Sequence, residues 1–274
     1  MDLLLLLKAA IMGIVEGITE FLPISSTGHL ILASELMNFW TKEKSDVFVI
    51  AIQMGAIAAV IYEYWGRLWG AATGMVTGEE KGRRLGFGLI LASIPIVLIG
   101  LTFGQTVKEL LFNNIAIAMG LIIGGLIIIW IEKNPPQVRA KEVEDLTIKD
   151  AIWIGLIQVL SLIPGTSRSG ATIIGAMFLG VSRKAATEFS FFLGIPVIVG
   201  AGLLDLYQSY DVFQGTQDWT VIAVGLIVSF VSALLLIRAL VAYVAKRDFM
   251  IFAWYRIVSG LLILLFAFTG WKLW

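Results

Sequence analysis

Two acidic residues stand inside apolar sequence near the start of this 274-residue chain. Glu16 and Glu20 are one helical turn apart, so both carboxylates project from the same face of a helix. Like charges repel at this spacing, and apolar surroundings leave both carboxylates without water. A divalent cation would compensate them, and oxygen-only ligands favour Mg²⁺ or Ca²⁺ over zinc. The alternatives are protonation of one or both carboxyls, or an ion pair with Arg168 or Arg256.

A run of hydroxyl side chains follows Pro23 and consists of Ser25, Ser26 and Thr27. Serine is a preferred N-cap, and the first turn of a helix offers free N–H groups and a positive dipole end to a phosphate. His29 lies one turn after Ser26 on the same face, where it could take the Ser26 proton, protonate a leaving oxygen or attack phosphorus itself. Ser26 with His29 as its base is the preferred prediction, and His29 as nucleophile is its rival. A single histidine in an apolar helix can also be a packing residue.

A similar sequence recurs about half the chain later, which indicates an internal duplication. Each copy is interrupted by a proline, and the polar runs align after a slip of one residue at that proline. Gly13 and Glu16 align with Gly155 and Gln158, and the run 25–28 aligns with 167–170.

The second copy adds charge for an anion. Arg168 provides a planar fork suited to phosphate, and Ser167, Ser169 and Thr172 provide hydroxyls beside a second helix start. Two helix N-termini, several hydroxyls and an arginine, opposite a carboxylate pair, predict a phosphate or diphosphate site formed by both copies. The simpler alternative is that the serines only cap helices and Arg168 extends to the membrane interface.

The composition is that of an integral membrane protein. Apolar residues make up 58% of the chain and charged residues 15%, whereas soluble proteins are about half apolar and a quarter charged. A net charge of zero argues against nucleic acid as a partner. The chain has no cysteine, which excludes disulfides and thiolate chemistry, and its single histidine excludes any site that needs two.

Six apolar stretches are long enough to cross a bilayer, which takes roughly 20 helical residues. They are 46–65, 86–104, 115–131, 185–206, 220–243 and 251–271. The two motif regions, 3–37 and 149–181, are apolar but broken by a proline near the middle. Proline removes a helical hydrogen bond and clashes with the preceding turn, so each region is predicted to form a re-entrant hairpin of two half-helices.

Lysine and arginine in the short loops predict the orientation, because cytoplasmic loops carry their excess. Basic residues concentrate near 67–84, 133–149, 183–184 and 246–247, whereas 208–219 contains none. These assignments agree only if each hairpin returns to the side it entered, with both termini outside. The predicted fold is therefore an all-α polytopic membrane protein with an inverted-topology repeat, about 1–133 and 149–274, joined by a cytoplasmic linker about 134–148. A homo-oligomer is possible.

Three sets of residues resemble a known family. They are the Glu16 and Glu20 pair, the run from Pro23 to His29 and the run from Pro164 to Thr172. They are similar to the signature motifs of the undecaprenyl-diphosphate phosphatase family of the bacitracin-resistance type, and the similarity covers essentially the whole chain. It implies a bacterial cytoplasmic-membrane enzyme that uses Mg²⁺ or Ca²⁺ to remove the terminal phosphate from undecaprenyl diphosphate, which gives the monophosphate lipid carrier for cell-wall synthesis.

Two other classes of membrane protein share part of this sequence pattern or chemistry. Inverted repeats with broken helices are typical of secondary transporters, so a transporter or flippase of a phosphorylated lipid or anion is the alternative function. The other type of lipid phosphatase uses two separated histidines, and the single His29 excludes it. Membrane lipids and a polyprenyl diphosphate are the expected partners.

Overall fold

The computed structural model describes residues 2–209, 212–213 and 215–268, and these ranges are almost entirely helical. The helices are α1 (Leu3–Thr19), α2 (Ser26–Met37), α3 (Lys42–Glu63), α4 (Trp65–Thr77), α5 (Glu80–Leu111), α6 (Asn114–Lys133), α7 (Ile148–Gln158), α8 (Arg168–Phe178), α9 (Arg183–Gln208), α10 (Thr216–Val244) and α11 (Met250–Phe268). One isolated bridge joins Ala140 and Val181. The prediction of an all-α fold is confirmed.

Six helices of the described ranges are long and apolar enough to cross a membrane, namely α3, α5, α6, α9, α10 and α11. Each coincides with one of the six predicted spans, so the prediction of a polytopic membrane protein is also confirmed. The last predicted span continues to residue 271, and its residues from 269 onward lie outside the described ranges.

Both motif regions are broken at the predicted prolines. Residues 20–25, here called tip 1, turn the chain from α1 into α2 around Pro23. In the second copy, α7 continues as a 3-10 turn over Val159–Leu162, and residues 163–167, here called tip 2, turn the chain into α8 around Pro164. In each region the two half-helices pack on each other, so each is a helical hairpin. The placement of these hairpins in a bilayer stays a prediction.

Each hairpin packs its first helix on a span of the other half: α1 lies on α10, and α7 lies on α5. Aligned glycines permit the close approach. A Cβ at Gly13 would lie 2.7 Å from the Gly225 carbonyl oxygen, and a Cβ at Gly155 would lie 2.3 Å from the Ala92 carbonyl oxygen. Such contacts between small residues are typical of helices in membranes, where close packing drives helix association. The reciprocal packing brings the two tips together in the middle of the protein.

The linker between the halves is packed against the helices. Ala140, Val143 and Leu146 are buried. Arg67 of α4 makes two hydrogen bonds to Glu144, of 2.7 and 2.8 Å. Burial by itself would raise the pKa of Glu144, but the guanidinium of Arg67 outweighs this and lowers that pKa below its ordinary value. The cytoplasmic location of the linker and the boundaries of the two repeats stay predictions.

Candidate active site

The two tips enter their second helices with the same unusual backbone. Ser25 is the N-cap of α2 with φ 72°, and Ser167 is the N-cap of α8 with φ 70°. A positive φ is uncommon for any residue other than glycine. These two positions are the ones that the internal repeat aligns. Only the Ser167 side chain caps its helix, by accepting a hydrogen bond from the Gly170 N–H at 3.1 Å, which leaves the Ser25 hydroxyl available to a ligand.

Glu20 joins the two copies. The Ser26 hydroxyl donates a hydrogen bond of 2.6 Å to one Glu20 oxygen, and Nη2 of Arg168 donates one of 3.1 Å to the other. All three side chains are largely buried. Hydrogen bonds that involve charged groups are shorter and stronger than neutral ones, particularly away from water. A hydroxyl, a carboxylate and a guanidinium from three different helix ends are therefore connected by two consecutive hydrogen bonds.

The other terminal nitrogen of Arg168, Nη1, is held by α9. Nη1 donates to the Ser190 carbonyl oxygen at 2.9 Å. The guanidinium also lies against the backbone of Gly194, where a Cβ would be only 2.9 to 3.0 Å from three of its atoms. Helix α9 thus determines where the charge of Arg168 lies.

The hydroxyls of Ser169 and Thr172 form hydrogen bonds to tip 1 and to α9, respectively. The Ser169 hydroxyl donates to the Leu22 carbonyl oxygen of tip 1 at 2.8 Å, so it links the two copies. The Thr172 hydroxyl is 2.7 Å from the Ser190 hydroxyl. Both side chains are 1% exposed. In this structure they position the predicted phosphate-binding groups and lie outside the cavity wall.

A cavity of about 230 Å³ lies between the tips. The predicted site residues in its wall are Glu20, Ser25, Ser26, Thr27, Ser167 and Arg168. Gln53 and Ser161 add two polar groups, and the rest of the wall is mainly apolar, including Ile31, Ile96, Phe112, Val197 and Ala201. A polar end with an arginine and an apolar wall suit an amphiphilic ligand with an anionic head.

Glu16 lies outside this wall and is completely buried. Among the residues that the structure describes, neither of its carboxylate oxygens has a hydrogen-bond partner. Its aligned counterpart, Gln158, is likewise completely buried with both polar atoms of its amide unpaired. Unpaired buried polar atoms are costly, so a carboxyl group in these surroundings is suited either to bind a cation or to carry a proton.

The two carboxylate oxygens of Glu16 are chemically suited to bind the predicted Mg²⁺ or Ca²⁺, because both ions prefer oxygen ligands. Glu20 is one turn away, but its oxygens already accept from Ser26 and Arg168. In the described part of the chain, no group of three or more histidine, aspartate or glutamate side chains could hold a metal. Mg²⁺ requires six oxygen ligands and Ca²⁺ six to eight, so the site needs ligands beyond these two carboxylates, and the oxygens of a bound phosphate and of water are suitable ones.

The two ring nitrogens of His29 form hydrogen bonds to groups other than the Ser26 hydroxyl. Its Nδ1 lies 2.8 Å from the Ser25 carbonyl oxygen, and its Nε2 is hydrogen-bonded to the hydroxyl of Tyr255 in α11. Because a carbonyl only accepts, Nδ1 carries the hydrogen, and in the neutral imidazole Nε2 then accepts from Tyr255. The structure thus brings Ser26 to Glu20 and directs His29 to Tyr255. The chemical role of His29 stays a prediction.

Several residues at the site were not identified as functional from the sequence. Ser190 and Tyr255 carry no pattern that would mark them, because their importance comes only from contacts with distant parts of the chain. Arg256 is an arginine inside an apolar span, which is itself a functional signal. The sequence indicates Arg256 only as an alternative ion-pair partner of the two glutamates, whereas its hydrogen bonds go to backbone carbonyls.

The fold and the cavity define a polytopic membrane protein. Its tip 1 carries a carboxylate and hydroxyls, and it lies opposite tip 2 and the arginine that follows tip 2. A family model described as bacitracin resistance protein BacA matches residues 9–262, and the chain belongs to this family. It is 85% identical to undecaprenyl-diphosphatase 1 of Acinetobacter baylyi, with all of both chains covered. It is 61% identical to an undecaprenyl-diphosphatase of Psychrobacter sp. over 97% of each chain, and 51% identical to undecaprenyl-diphosphatase 2 of Rhodospirillum rubrum over 100% of this chain and 99% of the relative.

The strained backbone at tip 1 gives a prediction about stability. We expect Ser25→Gly to keep or raise the free energy of unfolding, by up to about 1 kcal/mol, because glycine adopts a positive φ without strain and no capping bond is lost. Ser25→Val should lower it. Thermal unfolding in detergent measures both, with Ser167→Gly as the control that does lose a capping bond. A Ser25→Gly protein less stable than the parent would contradict the prediction.

Proposed function

We propose that this protein is a membrane phosphatase that hydrolyses undecaprenyl diphosphate to undecaprenyl phosphate and phosphate, and so recycles the lipid carrier for cell-wall synthesis. The observation that carries the proposal is the Glu20 carboxylate, which contacts both the Ser26 hydroxyl and Arg168 beside an amphiphilic cavity. The names of the relatives support this substrate.

The terminal phosphate binds at the polar end of the cavity. Arg168 supplies a fixed positive charge, and the first turns of α2 and α8 supply N–H groups and the positive ends of two helix dipoles. The hydroxyls of Ser25, Thr27 and Ser167 are close enough to the same space to donate to phosphate oxygens. Donors fixed in this way stabilise charge that develops on the transferred phosphoryl group. The polyprenyl chain lies along the apolar wall.

Ser26 is the proposed nucleophile and Glu20 its base. As the Ser26 oxygen bonds to the terminal phosphorus, the hydroxyl proton passes to Glu20 along the existing hydrogen bond. The bond from phosphorus to the bridging oxygen breaks, and undecaprenyl phosphate leaves as an anion that needs no proton. Glu20 then releases the proton from Ser26 to solvent. Water attacks the phosphoserine and gives a proton to Glu20, the bond from phosphorus to the Ser26 oxygen breaks, and Glu20 returns the proton to that oxygen as phosphate leaves. His29 is the alternative nucleophile, and it would first have to leave Tyr255.

Glu16 and Glu20 are the residues that would hold Mg²⁺ or Ca²⁺. When bound, the cation would offset the negative charge of the diphosphate. Glu16 is suited to this role because its oxygens have no other partner among the described residues. The role of Glu20 as base requires only its bond to Ser26.

We further propose that the protein lies in the bacterial cytoplasmic membrane with both termini outside, and that the substrate head group enters from the outer face. In the predicted topology α5 and α9 both run from inside to outside. Of the cavity residues, Phe112 directly follows the end of α5, and Ala201 lies in the last third of α9. The apolar wall thus extends from the tips toward the outside.

The first test is phosphate release from undecaprenyl diphosphate by purified protein in detergent, where no gradient exists. We expect turnover by the parent protein, and a loss of at least about 10³-fold in kcat for Ser26→Ala, because the reacting oxygen is removed. Binding without phosphate release by the parent would contradict the proposal and favour the transporter or flippase alternative.

Phosphoenzyme trapping distinguishes the two nucleophiles in the same preparation. A label on Ser26 would be stable to acid, whereas a label on His29 would be acid-labile. Full activity of His29→Ala would exclude His29 as nucleophile and as an essential base.

The packing of Arg168 on Gly194 gives a second test. The Cβ of Gly194→Ala would displace the guanidinium from Glu20, so we expect kcat to fall by about 10²-fold, the typical effect of a misplaced group. Gly200→Ala on the same helix is the matched control, because a Cβ there meets no atom within 4 Å. Equal activity of the two variants would show that the position of Arg168 is unimportant.

The cation has its own prediction. Glu16→Gln gives the first copy the side chain that the second copy has at Gln158, and it preserves shape. We expect the Mg²⁺ concentration for half-maximal activity to rise by about 10- to 100-fold, and the thermal stabilisation by Mg²⁺ to be lost. The exposed Glu35→Gln in α2 is the control. Activity that a chelator leaves unchanged would remove the metal from the mechanism.

A further inference from the structure

Among the residues that the structure describes, Arg256 of α11 is the largest that is fully buried, with 1% of it exposed. Its hydrogen bonds in the described structure go to four backbone carbonyls and to no carboxylate. An arginine that is neither paired with an acid nor exposed to water is rare inside a membrane protein, because the desolvated charge is costly. The position of its partners explains why it lies there.

Two of the four carbonyls belong to the two tips. Nη1 donates to the Pro23 carbonyl oxygen of tip 1 at 2.9 Å, and Nη2 donates to the Gly165 carbonyl oxygen of tip 2 at 3.0 Å. The remaining bonds go to Gly120 and Leu121 of α6, at 2.9 and 3.3 Å. One guanidinium therefore bonds to both breaks in the half-helices and to a span that packs beside them.

The chemistry of these carbonyls suits an arginine. Where a proline breaks a helix, nearby carbonyls lose their helical donors, and in apolar surroundings they must find others. A guanidinium carries five N–H donors in a rigid planar fork, so it can bond to carbonyls of different segments at once. A lysine ammonium is a point charge on a flexible stem and cannot hold the same geometry.

Glycine makes room for this arrangement. A Cβ at Gly124 of α6 would lie 2.0 Å from Nη2 and 2.6 Å from Cζ of Arg256. A Cβ at Gly170, in the first turn of α8, would lie 3.0 Å from Nη1. The guanidinium thus lies against α6 at Gly124, which has no side chain, and it reaches the first turn of α8, the helix that begins at Arg168.

We propose that Arg256 is a positioning residue that fixes tip 1 relative to tip 2. It lies outside the cavity wall. Its two tip carbonyls are in the segments that also hold Glu20 and lead directly into Arg168. Loss of the Arg256 bonds lets the tips move apart, which lengthens the contact between Glu20 and Arg168 while the spans keep their packing.

The experiment uses the absence of cysteine in the chain. Cysteines introduced at Thr27, which follows tip 1, and at Ile163, the first residue of tip 2, are both at exposed positions and carry spin labels. Electron–electron double resonance reports the distribution of distances between the labels. The variants are Arg256→Lys and Gly124→Ala, and the control is Gly104→Ala, where a Cβ meets no atom within 4 Å. Activity is measured on the same variants without the label cysteines.

We expect a narrow distance distribution in the parent and in Gly104→Ala, and a broader one in Arg256→Lys and Gly124→Ala. We expect kcat of the latter two to fall by about 10²-fold and KM to change less, because Ser26 and Glu20 lose alignment while Arg168 and the N–H groups of α8 still bind the phosphate. Gly124→Ala keeps Arg256 in the chain and covers the case in which Arg256→Lys does not fold.

Unchanged distance distributions in both variants would overturn the proposal, as would a broadened distribution with full activity. Failure of Gly124→Ala to fold would also overturn it, because the proposed effect is confined to the tips. The kinetic readout rests on the proposed function, whereas the distance readout does not. A parent protein that hydrolyses nothing but shows the expected distances would refute the phosphatase and leave the role of Arg256 intact.

Discussion

The rest of this structure depends on one buried ion pair, between Glu20 and Arg168. A carboxylate and a guanidinium in apolar surroundings must meet each other or bear a large desolvation cost, so the two hairpins that carry them have to converge. Glycines on α1 and α7 permit that approach, and Ser190 and Gly194 of α9 hold the arginine in place. The same pair leaves one carboxylate oxygen free to accept from Ser26, and this connects the packing of the halves to the chemistry.

The two copies of the motif differ in the side chains that they contribute to the site. Both copies break at a proline and enter the second half-helix with a positive φ, at Ser25 and Ser167. The side chains differ: the first copy holds the carboxylates and His29, and the second holds the arginine. Glu16 and Gln158 show the divergence most clearly, since both are buried and unpaired among the described residues but only Glu16 can carry a charge. Neither copy by itself contains both a proposed nucleophile and the arginine that would bind the phosphate.

Much of the fold could be predicted because it has local causes. Long apolar stretches make spans, a proline ends a half-helix, and serine starts the next one. Several site residues could be predicted for the same reason: Glu20, Ser26, Ser167 and Arg168 all lie at helix ends that the motif itself creates. Their convergence on one cavity was expected from the inverted repeat, and the cavity wall contains all four. Ser169 and Thr172 share the motif, but they lie behind the wall.

The sequence by itself determined that the chain is helical, where its spans lie and which two segments carry the chemistry, because hydropathy, proline and helix capping act over a few residues. Only the tertiary structure decided the partners. Helical spacing placed His29 near Ser26, yet His29 bonds to Tyr255, 226 positions away, and Ser26 bonds to Glu20. Arg256 reaches Pro23 across 233 positions. Spacing along a helix determines which residues share a face, whereas the partner of a buried polar group depends on which other helices are packed around it.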